Sequence, residues 1–287
     1  MPIDVARLLH EPPRVYRQSF TRRDTILYAL GVGAGHAGDD LPFVYERALV
    51  ALPSLAIVLA APPFWLDDPA YGIDWRKVVN AGQELELERR LPVEGEVTTT
   101  LSIEAVWDKG AAKGALMQSS RRLQDATGRT LATIRQTHLL RGNGGFGGEP
   151  VPDAVETPLP ECAPDAVVDL GTRPEQALLY RLSGDLNPLH VDAAVAHAAG
   201  FDRPILHGSC TFGIVCRALL RVAGHDPASR LARFGARFSR PVLPGDTIRT
   251  EAWREGAALR FRARALERDV VVLDRGVARF ADAPLPA

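Results

Sequence analysis

GSCTFGIVCRALLRVAG, residues 208–224, would be apolar on nearly every side if it formed a helix. Ser209 or Thr211 lies near the predicted start of this helix, and Gly224 follows its predicted end. A helix of this kind has to be buried, so other parts of the chain must cover it. Residues 231–280 alternate apolar and polar side chains over several runs, which predicts antiparallel strands that wrap the helix.

The first half of the chain shows the same order of elements. TRRDTILYALGVGAG (residues 21–35) predicts a helix that starts between Thr21 and Asp24 and ends at the glycines. Alternating and β-branched segments follow within residues 84–140, and DATGRT (residues 125–130) predicts a hairpin turn between two of them. The chain therefore resembles a duplicated unit of one helix wrapped by an antiparallel sheet, although only the element order indicates duplication.

A boundary between the halves is predicted in RGNGGFGGEPVPDAVETPLPECAPD, residues 141–165. Its glycine-rich start predicts a flexible chain, and its proline-rich continuation predicts an extended one. We therefore expect an N-terminal unit (1–145), a linker (146–165) and a C-terminal unit (166–287). The expected fold class is α+β.

Composition excludes several classes of protein. The chain has 287 residues, with 34 Lys or Arg, 35 Asp or Glu and 46% apolar residues, so the basic footprint of a nucleic-acid partner is missing. The longest apolar run (residues 52–65) is broken by prolines, which predicts no membrane span. Three cysteines without CxxC spacing argue against a disulfide framework or a zinc site. With no signal-peptide pattern, the expected compartment is the reducing cytoplasm.

Arginines are concentrated in the second half. Between Arg217 and Arg268, twelve arginines accompany five acidic residues. One interpretation is a solvated face, because LRFRARAL (residues 259–266) alternates Arg with apolar residues as a half-exposed strand does. The other interpretation is a surface that attracts a phosphorylated ligand.

The segment SGDLNPLH (residues 183–190) predicts a rigid polar loop, because proline removes a backbone donor and disfavours helix before it. Asp185 and His190 would suit an acid–base pair that holds a water molecule, with Asn187 orienting the aspartate. The alternative is an Asx turn, in which Asp185 and Asn187 bond their own backbone and His190 only starts a helix.

Gly208 is predicted to lie at the start of the long helix. Backbone N–H groups there are unpaired and carry partial positive charge, and glycine lets a ligand approach. The Gly208 N–H could thus bind a carbonyl oxygen that becomes negative during reaction. The alternative is a simple turn glycine. A serine hydrolase and a dinucleotide site are not expected, since no G-x-S-x-G elbow occurs and GVGAG (residues 31–35) follows a helix rather than a strand.

Two segments resemble a known family. YRLSGDLNPLHVDAAVA (residues 180–196) and FDRPILHGSCTFG (residues 201–213) resemble the signature of MaoC-like hydratases, and more closely that of the (R)-specific enoyl-CoA hydratase 2 family. The resemblance implies a double hot-dog fold of two units, each a long helix wrapped by an antiparallel sheet. It also implies syn hydration of trans-2-enoyl-CoA to (3R)-hydroxyacyl-CoA, an acyl-CoA as the small-molecule partner, and a homodimer. No metal and no redox cofactor are implied.

The resemblance also implies roles for individual residues. Asp185 and His190 would be the catalytic pair around the water, and Gly208 would supply the oxyanion-hole N–H. Tyr180 and Asn187 would support the polar network, or Tyr180 would merely cap the core. The C-terminal unit would thus contain the catalytic motif, whereas the N-terminal unit would contact the acyl-CoA.

Four further residues are expected to contact the substrate. Lys109 in the WDKG turn and Phe238 in ARFSRP match ligand-contacting positions of the family, although a solvated lysine and a core aromatic are the simpler interpretations. The family often has a His-Gly pair where this chain has Asn80 and Ala81, and the added methyl group is expected to affect substrate preference. The alternatives to a hydratase are a hot-dog thioesterase and a non-catalytic acyl-CoA-binding subunit.

Overall fold

A computed structural model describes residues 3–35, 40–152, 158–224, 228 and 230–287. The helices are α1 (Val5–His10), α2 (Arg22–Gly31), α3 (Leu41–Val44), α4 (Gln176–Tyr180), α5 (Ala193–Ala198) and α6 (Gly208–Ala223). The strands of the first half are β1 (Arg14–Phe20), β2 (Val78–Leu87), β3 (Gly95–Asp108), β4 (Ala115–Asp125) and β5 (Thr130–Leu140). Those of the second half are β6 (Ala166–Gly171), β7 (Leu231–Phe238), β8 (Thr247–Glu255), β9 (Ala258–Ala265) and β10 (Val270–Phe280).

All ten strands form one antiparallel sheet in the order β1-β3-β4-β5-β2-β7-β10-β9-β8-β6. The first five strands in this order come from the first half of the chain, and the last five come from the second. The halves join where β2 pairs with β7. The predicted hairpin at residues 125–130 joins β4 to β5.

The long helix α6 is buried from Cys210 to Leu220, as its apolar sequence predicts. Gly224 follows it with a φ of +89°, a conformation that favours glycine. At Gly213 the helix passes so close to the first half that a Cβ atom would lie 2.6 Å from Val32 Cγ1. The cores of the two halves are therefore continuous.

The central helix of the first half is shorter. Helix α2 has ten residues and begins with the capping box of Thr21 and Asp24, whereas α6 has sixteen residues. Helix α2 ends at Gly31, and Gly33 and Gly35 just beyond it take positive φ values of 80° and 101°. A 3-10 segment, Pro53–Ile57, covers part of the sheet face that a longer helix would occupy.

A buried ion pair joins the halves. Asp40 and Arg217 are each 3% exposed, and the Arg217 Nη2 donates to the Asp40 Oδ2 at 2.6 Å. Burial raises the pKa of Asp40, but the charges of Arg217 and Arg221 and the Gly35 N–H outweigh it, so the pKa is lowered overall. The carboxylate is therefore ionised in the folded protein at neutral pH.

The glycine-rich start of residues 141–165 is hydrogen-bonded to the rest of the first half. Both Asp108 carboxylate oxygens accept backbone N–H groups from it, Oδ1 from Gly145 and Oδ2 from Gly147. Asn143 is buried and donates from Nδ2 to the Gly72 carbonyl oxygen. The backbone of this glycine-rich segment is therefore bonded to the end of β3. Residues 153–157 of the predicted linker lie outside the described residues.

Several arginines of the second half have acidic partners on neighbouring strands. Arg249 pairs with Asp169, Arg262 with Glu251 and Arg237 with Asp274. The excess of arginines over acidic residues between Arg217 and Arg268 is therefore partly offset by acidic residues from elsewhere in the chain. Within the described residues, no helix is both long and apolar enough to cross a bilayer.

Candidate active site

The polar loop after α4 is built by its own side chains. Gly184 takes a φ of +119° and turns the chain out of a 3-10 turn. The Asp185 Oδ1 then accepts the Asn187 N–H at 3.2 Å, and the Asn187 Oδ1 accepts the Leu189 N–H at 3.0 Å. The Asx-turn interpretation is therefore confirmed. It does not exclude a functional role, because the turn places Asp185 beside His190.

His190 is nearly buried, with 9% of its surface exposed. Its Nδ1 lies 2.8 Å from the carbonyl oxygen of Ile205. A carbonyl oxygen can only accept, so we assign the proton to Nδ1. In the neutral ring, Nε2 then has a free lone pair that can accept a proton.

His207 completes the cluster, and our sequence analysis did not assign it to the site. Its Nε2 lies 3.1 Å from the Asp185 carbonyl oxygen, so Nε2 is the donor and Nδ1 has the lone pair. This Nδ1 is buried and has no hydrogen-bond partner among the described residues. The rings of His190 and His207 stack, with centroids 3.7 Å apart. One polar side-chain atom from each of Asp185, His190 and His207 lies within 4.8 Å of the other two.

Two imidazoles and one carboxylate are also a possible donor set for a metal ion. The lone pair of an imidazole lies in the plane of its ring. The planes of the two rings are 30° apart, so their lone pairs lie in two nearly parallel planes.

Both imidazoles are held in the neutral form at neutral pH. Burial lowers the pKa of His190, against the smaller opposing effects of the Ile205 carbonyl and Asp185. Burial and the nearby His190 lower the pKa of His207 to about 4. The cluster can therefore accept a proton near neutral pH, as a general base must.

The start of α6 lies next to this cluster. Gly208 is the first helical residue and follows His207 directly, so its backbone N–H is one of the unpaired donors of the first turn. A Cβ atom at Gly208 would lie 3.2 Å from the Phe238 ring, which places this predicted substrate contact at the helix start. The Tyr180 ring lies 4.9 Å from that of His207, and its buried hydroxyl has no described partner.

The first half of the chain also reaches the site. The Oε1 of Gln83 on β2 accepts the Ser209 hydroxyl at 3.3 Å, one residue after Gly208. Asn80 and Ala81 precede Gln83 on the same strand, and Ala81 lies in a β-bulge between Asn80 and Gly82. Sequence analysis did not identify Gln83, whose strand alternates without an evident motif.

Lys109 lies apart from the cluster. It is exposed in the turn between β3 and β4, where its backbone N–H donates to the Gly114 carbonyl oxygen. None of the contacts between described residues joins it to Asp185, His190 or His207. Its role as a substrate contact stays a prediction.

Two family models and several curated proteins match the sequence of this chain. The family model described as MFE-2 hydratase 2 N-terminal domain matches residues 18–142, and the MaoC like domain matches residues 156–275. Enoyl-CoA hydratase ChsH3 of Mycobacterium tuberculosis is 37% identical, over 96% of this chain and 98% of that protein. The peroxisomal enoyl-CoA hydratase 2 of Arabidopsis thaliana is 34% identical, over 93% of this chain and 92% of that protein.

A solved structure shows the same architecture. The MaoC-like dehydratase from Phytophthora capsici superposes with a TM-score of 0.86 at 32% identity, covering 98% of this chain and 100% of that one. The predicted α+β double hot-dog fold is thus confirmed. Since these similarities extend over nearly the whole length, the chain belongs to the MaoC-like, enoyl-CoA hydratase 2 family.

Proposed function

We propose that this chain catalyses the reversible hydration of trans-2-enoyl-CoA to (3R)-3-hydroxyacyl-CoA. The observation on which this rests is the cluster of Asp185, His190 and His207 beside the Gly208 N–H at the start of α6. Asp185 and His190, which would exchange protons, thus lie next to the Gly208 N–H, which can donate a hydrogen bond to an oxyanion. Two relatives that match nearly the whole chain are named enoyl-CoA hydratases, which supports an acyl-CoA substrate.

In the proposed reaction, a water molecule bonds to the Asp185 carboxylate and the His190 Nε2. One O–H bond of the water breaks and its proton passes to the Asp185–His190 pair, while the oxygen forms a bond to C3 of the enoyl thioester and the C2=C3 π electrons move toward the thioester carbonyl. The charge that builds on the thioester oxygen is stabilised by the Gly208 N–H and the helix dipole. A proton reaches C2 on the same face, delivered by the Asp185–His190 pair. Dehydration is the same sequence reversed.

His207 acts in this account as a positioning residue. Its Nε2–H bonds the Asp185 carbonyl oxygen and its ring stacks on His190, so it contacts both members of the pair. No metal and no redox cofactor take part in the proposed reaction, because every proton and electron pair is supplied by water and substrate. Full activity is therefore expected in the presence of a chelator.

We propose further that the protein forms a homodimer and that it works in the cytoplasm. Leu178, Leu182 and Leu186 lie on α4 and the loop that contains Asp185, and they are 55%, 58% and 61% exposed. Such a group of exposed leucines supports a partner surface, which a second copy of the chain would cover. The free thiols of all three cysteines support a reducing compartment.

The function is tested by mixing the protein with crotonyl-CoA. Absorbance of the conjugated thioester reports hydration, and a thiol-reactive dye in a parallel reaction reports hydrolysis. Loss of the conjugated absorbance without free thiol is expected. Release of free thiol would indicate a thioesterase instead, and binding without either change would indicate a subunit that only binds acyl-CoA.

The pH dependence follows from the lowered pKa of His190. The neutral imidazole is the form that accepts a proton, and a lowered pKa places the midpoint of its protonation below pH 6.5. We expect kcat/KM for crotonyl-CoA to fall on acidification with its midpoint below pH 6.5. Initial rates in buffers of constant ionic strength measure this. A midpoint of the acidic fall above pH 6.5 would contradict it.

A further inference from the structure

Polar side chains cover part of the inward face of the first-half sheet, next to the candidate active site. The inward face is the one that packs against α2, α6 and Pro53–Ile57. We call these residues the polar strip: Asn80, Gln83, Ser119, Arg121, Gln136 and His138. The corresponding face of the second half is mostly apolar, with buried residues such as Phe234, Ile248 and Phe261.

Strand register brings the polar strip together. Gln83 on β2 lies opposite Gln136 on β5, which lies opposite Ser119 on β4. Arg121 is two residues further along β4 and therefore points to the same face. The strip begins at the active site, because Gln83 bonds Ser209 in the first turn of α6.

Arg121 is the most unusual member of the polar strip. It is 2% exposed, and its Nη2 donates to the Ile57 carbonyl oxygen at 2.6 Å. Its Nε and Nη1 have no hydrogen-bond partner, and none of the ion pairs between described residues includes it. Burial lowers its pKa to about 10, so the guanidinium is still charged at neutral pH. A buried cation without a counter-ion is unfavourable, because its desolvation is not offset by an opposite charge.

Three other members of the strip have unpaired atoms. The Asn80 Oδ1, the Gln83 Nε2 and the His138 Nδ1 are buried and have no hydrogen-bond partner within the described part of the chain. Buried polar groups in proteins are nearly always bonded. A hydrocarbon chain lying on this surface would leave them unsatisfied, whereas an acyl group with oxygen atoms would supply partners.

We propose that the preferred substrate has a carboxylate on its acyl group and that Arg121 binds this carboxylate. The inference rests on the proposed hydratase function. Strands lie about 4.8 Å apart and rise about 3.4 Å per residue, so the backbones of Gln83 and Arg121 are about 12 Å apart. The Arg121 side chain spans part of the distance between these two backbones. The carboxylate therefore lies several carbons from the thioester, as in the mono-CoA thioester of an unsaturated dicarboxylic acid.

The test compares two substrates of equal chain length, the mono-CoA thioester of trans-2-hexenedioic acid and trans-2-hexenoyl-CoA. We expect kcat/KM to favour the dicarboxylic substrate by at least about tenfold, because a site with buried polar groups rejects an analogue that leaves them unpaired. Arg121→Met should abolish this preference, mainly by raising KM for the dicarboxylic substrate. Arg122→Met is the matched control and should retain it, because Arg122 is adjacent but exposed.

A second measurement needs no variant. Adipyl-CoA and hexanoyl-CoA are saturated analogues with and without the carboxylate, and their inhibition constants are measured against crotonyl-CoA hydration by the wild type. Adipyl-CoA should inhibit at a concentration at least about tenfold lower, because it pairs with Arg121. This comparison still decides the question if Arg121→Met fails to fold.

The outcomes separate the two proposals. Equal kcat/KM for both hexenoyl substrates, or equal inhibition by both saturated analogues, would overturn the role of Arg121 and leave the hydratase function intact. Failure to hydrate any of the three enoyl thioesters would instead overturn the hydratase function.

Discussion

Asp185→Asn is expected to lower kcat for crotonyl-CoA hydration by at least about a hundredfold, the contribution of a general acid–base group. The amide keeps the size of the side chain and can still accept the Asn187 N–H, so the Asx turn is preserved. It removes the negative charge that bonds the water and exchanges its proton. His190→Ala removes the other member of the pair, and a loss of similar size is expected. Steady-state rates with saturating substrate measure both effects.

Matched controls come from the same region. Asp192→Asn changes a nearby exposed aspartate that caps α5, and asparagine caps a helix equally well. His197→Ala removes an exposed histidine on α5 that is outside the cluster. Both controls should retain turnover within about twofold of the wild type. Near-normal rates in folded Asp185→Asn or His190→Ala protein would contradict the assignment of the catalytic pair.

Asp40→Ala is expected to lower the free energy of unfolding by about 3–5 kcal/mol, the cost of leaving one charge of a buried pair without its partner. Arg217 would lose its carboxylate while it is 3% exposed in the middle of α6. Because the pKa of Asp40 is lowered in the folded state, the wild type gains this stability above the unfolded pKa and loses it as the pH falls. Urea unfolding at neutral pH measures the difference.

One single variant and one double variant serve as controls for this prediction. Asp169→Ala breaks the exposed pair with Arg249, in which both side chains are 39% exposed, and should cost less than about 1 kcal/mol. The double variant Asp40→Leu with Arg217→Met removes both buried charges and should be more stable than Asp40→Ala alone. Equal destabilisation by Asp40→Ala and Asp169→Ala would show that the buried pair does not join the halves as described.

Much of the fold follows from local sequence patterns. The apolar segment at residues 208–224 predicts helix α6 and its end at Gly224, and both are observed. Thr21 and Asp24 predict the start of α2, where they form a capping box. These elements could be predicted because their caps and their apolar periodicity are properties of neighbouring residues.

The site was only partly predictable, because its remaining members depend on register and orientation. His207 is adjacent to Gly208 in the sequence, but its contact with Asp185 requires the loop and the helix start to be packed together. Arg121 and Arg122 are identical neighbours, and only the strand pairing decides which one is buried. The bulge at Ala81 shifts the alternation of β2, so the sequence pattern cannot give the direction of the Asn80 side chain.

The configuration of the product tests the central claim most directly. Wild-type protein and Asp185→Asn are each incubated with crotonyl-CoA, and the 3-hydroxybutyryl-CoA formed is resolved by chiral chromatography. The account predicts the (3R) product from the wild type and, from the variant, at most about one hundredth of that rate. Formation of the (3S) product, or equal amounts of (3R) product from both proteins, would contradict the proposed addition of water by Asp185 and His190.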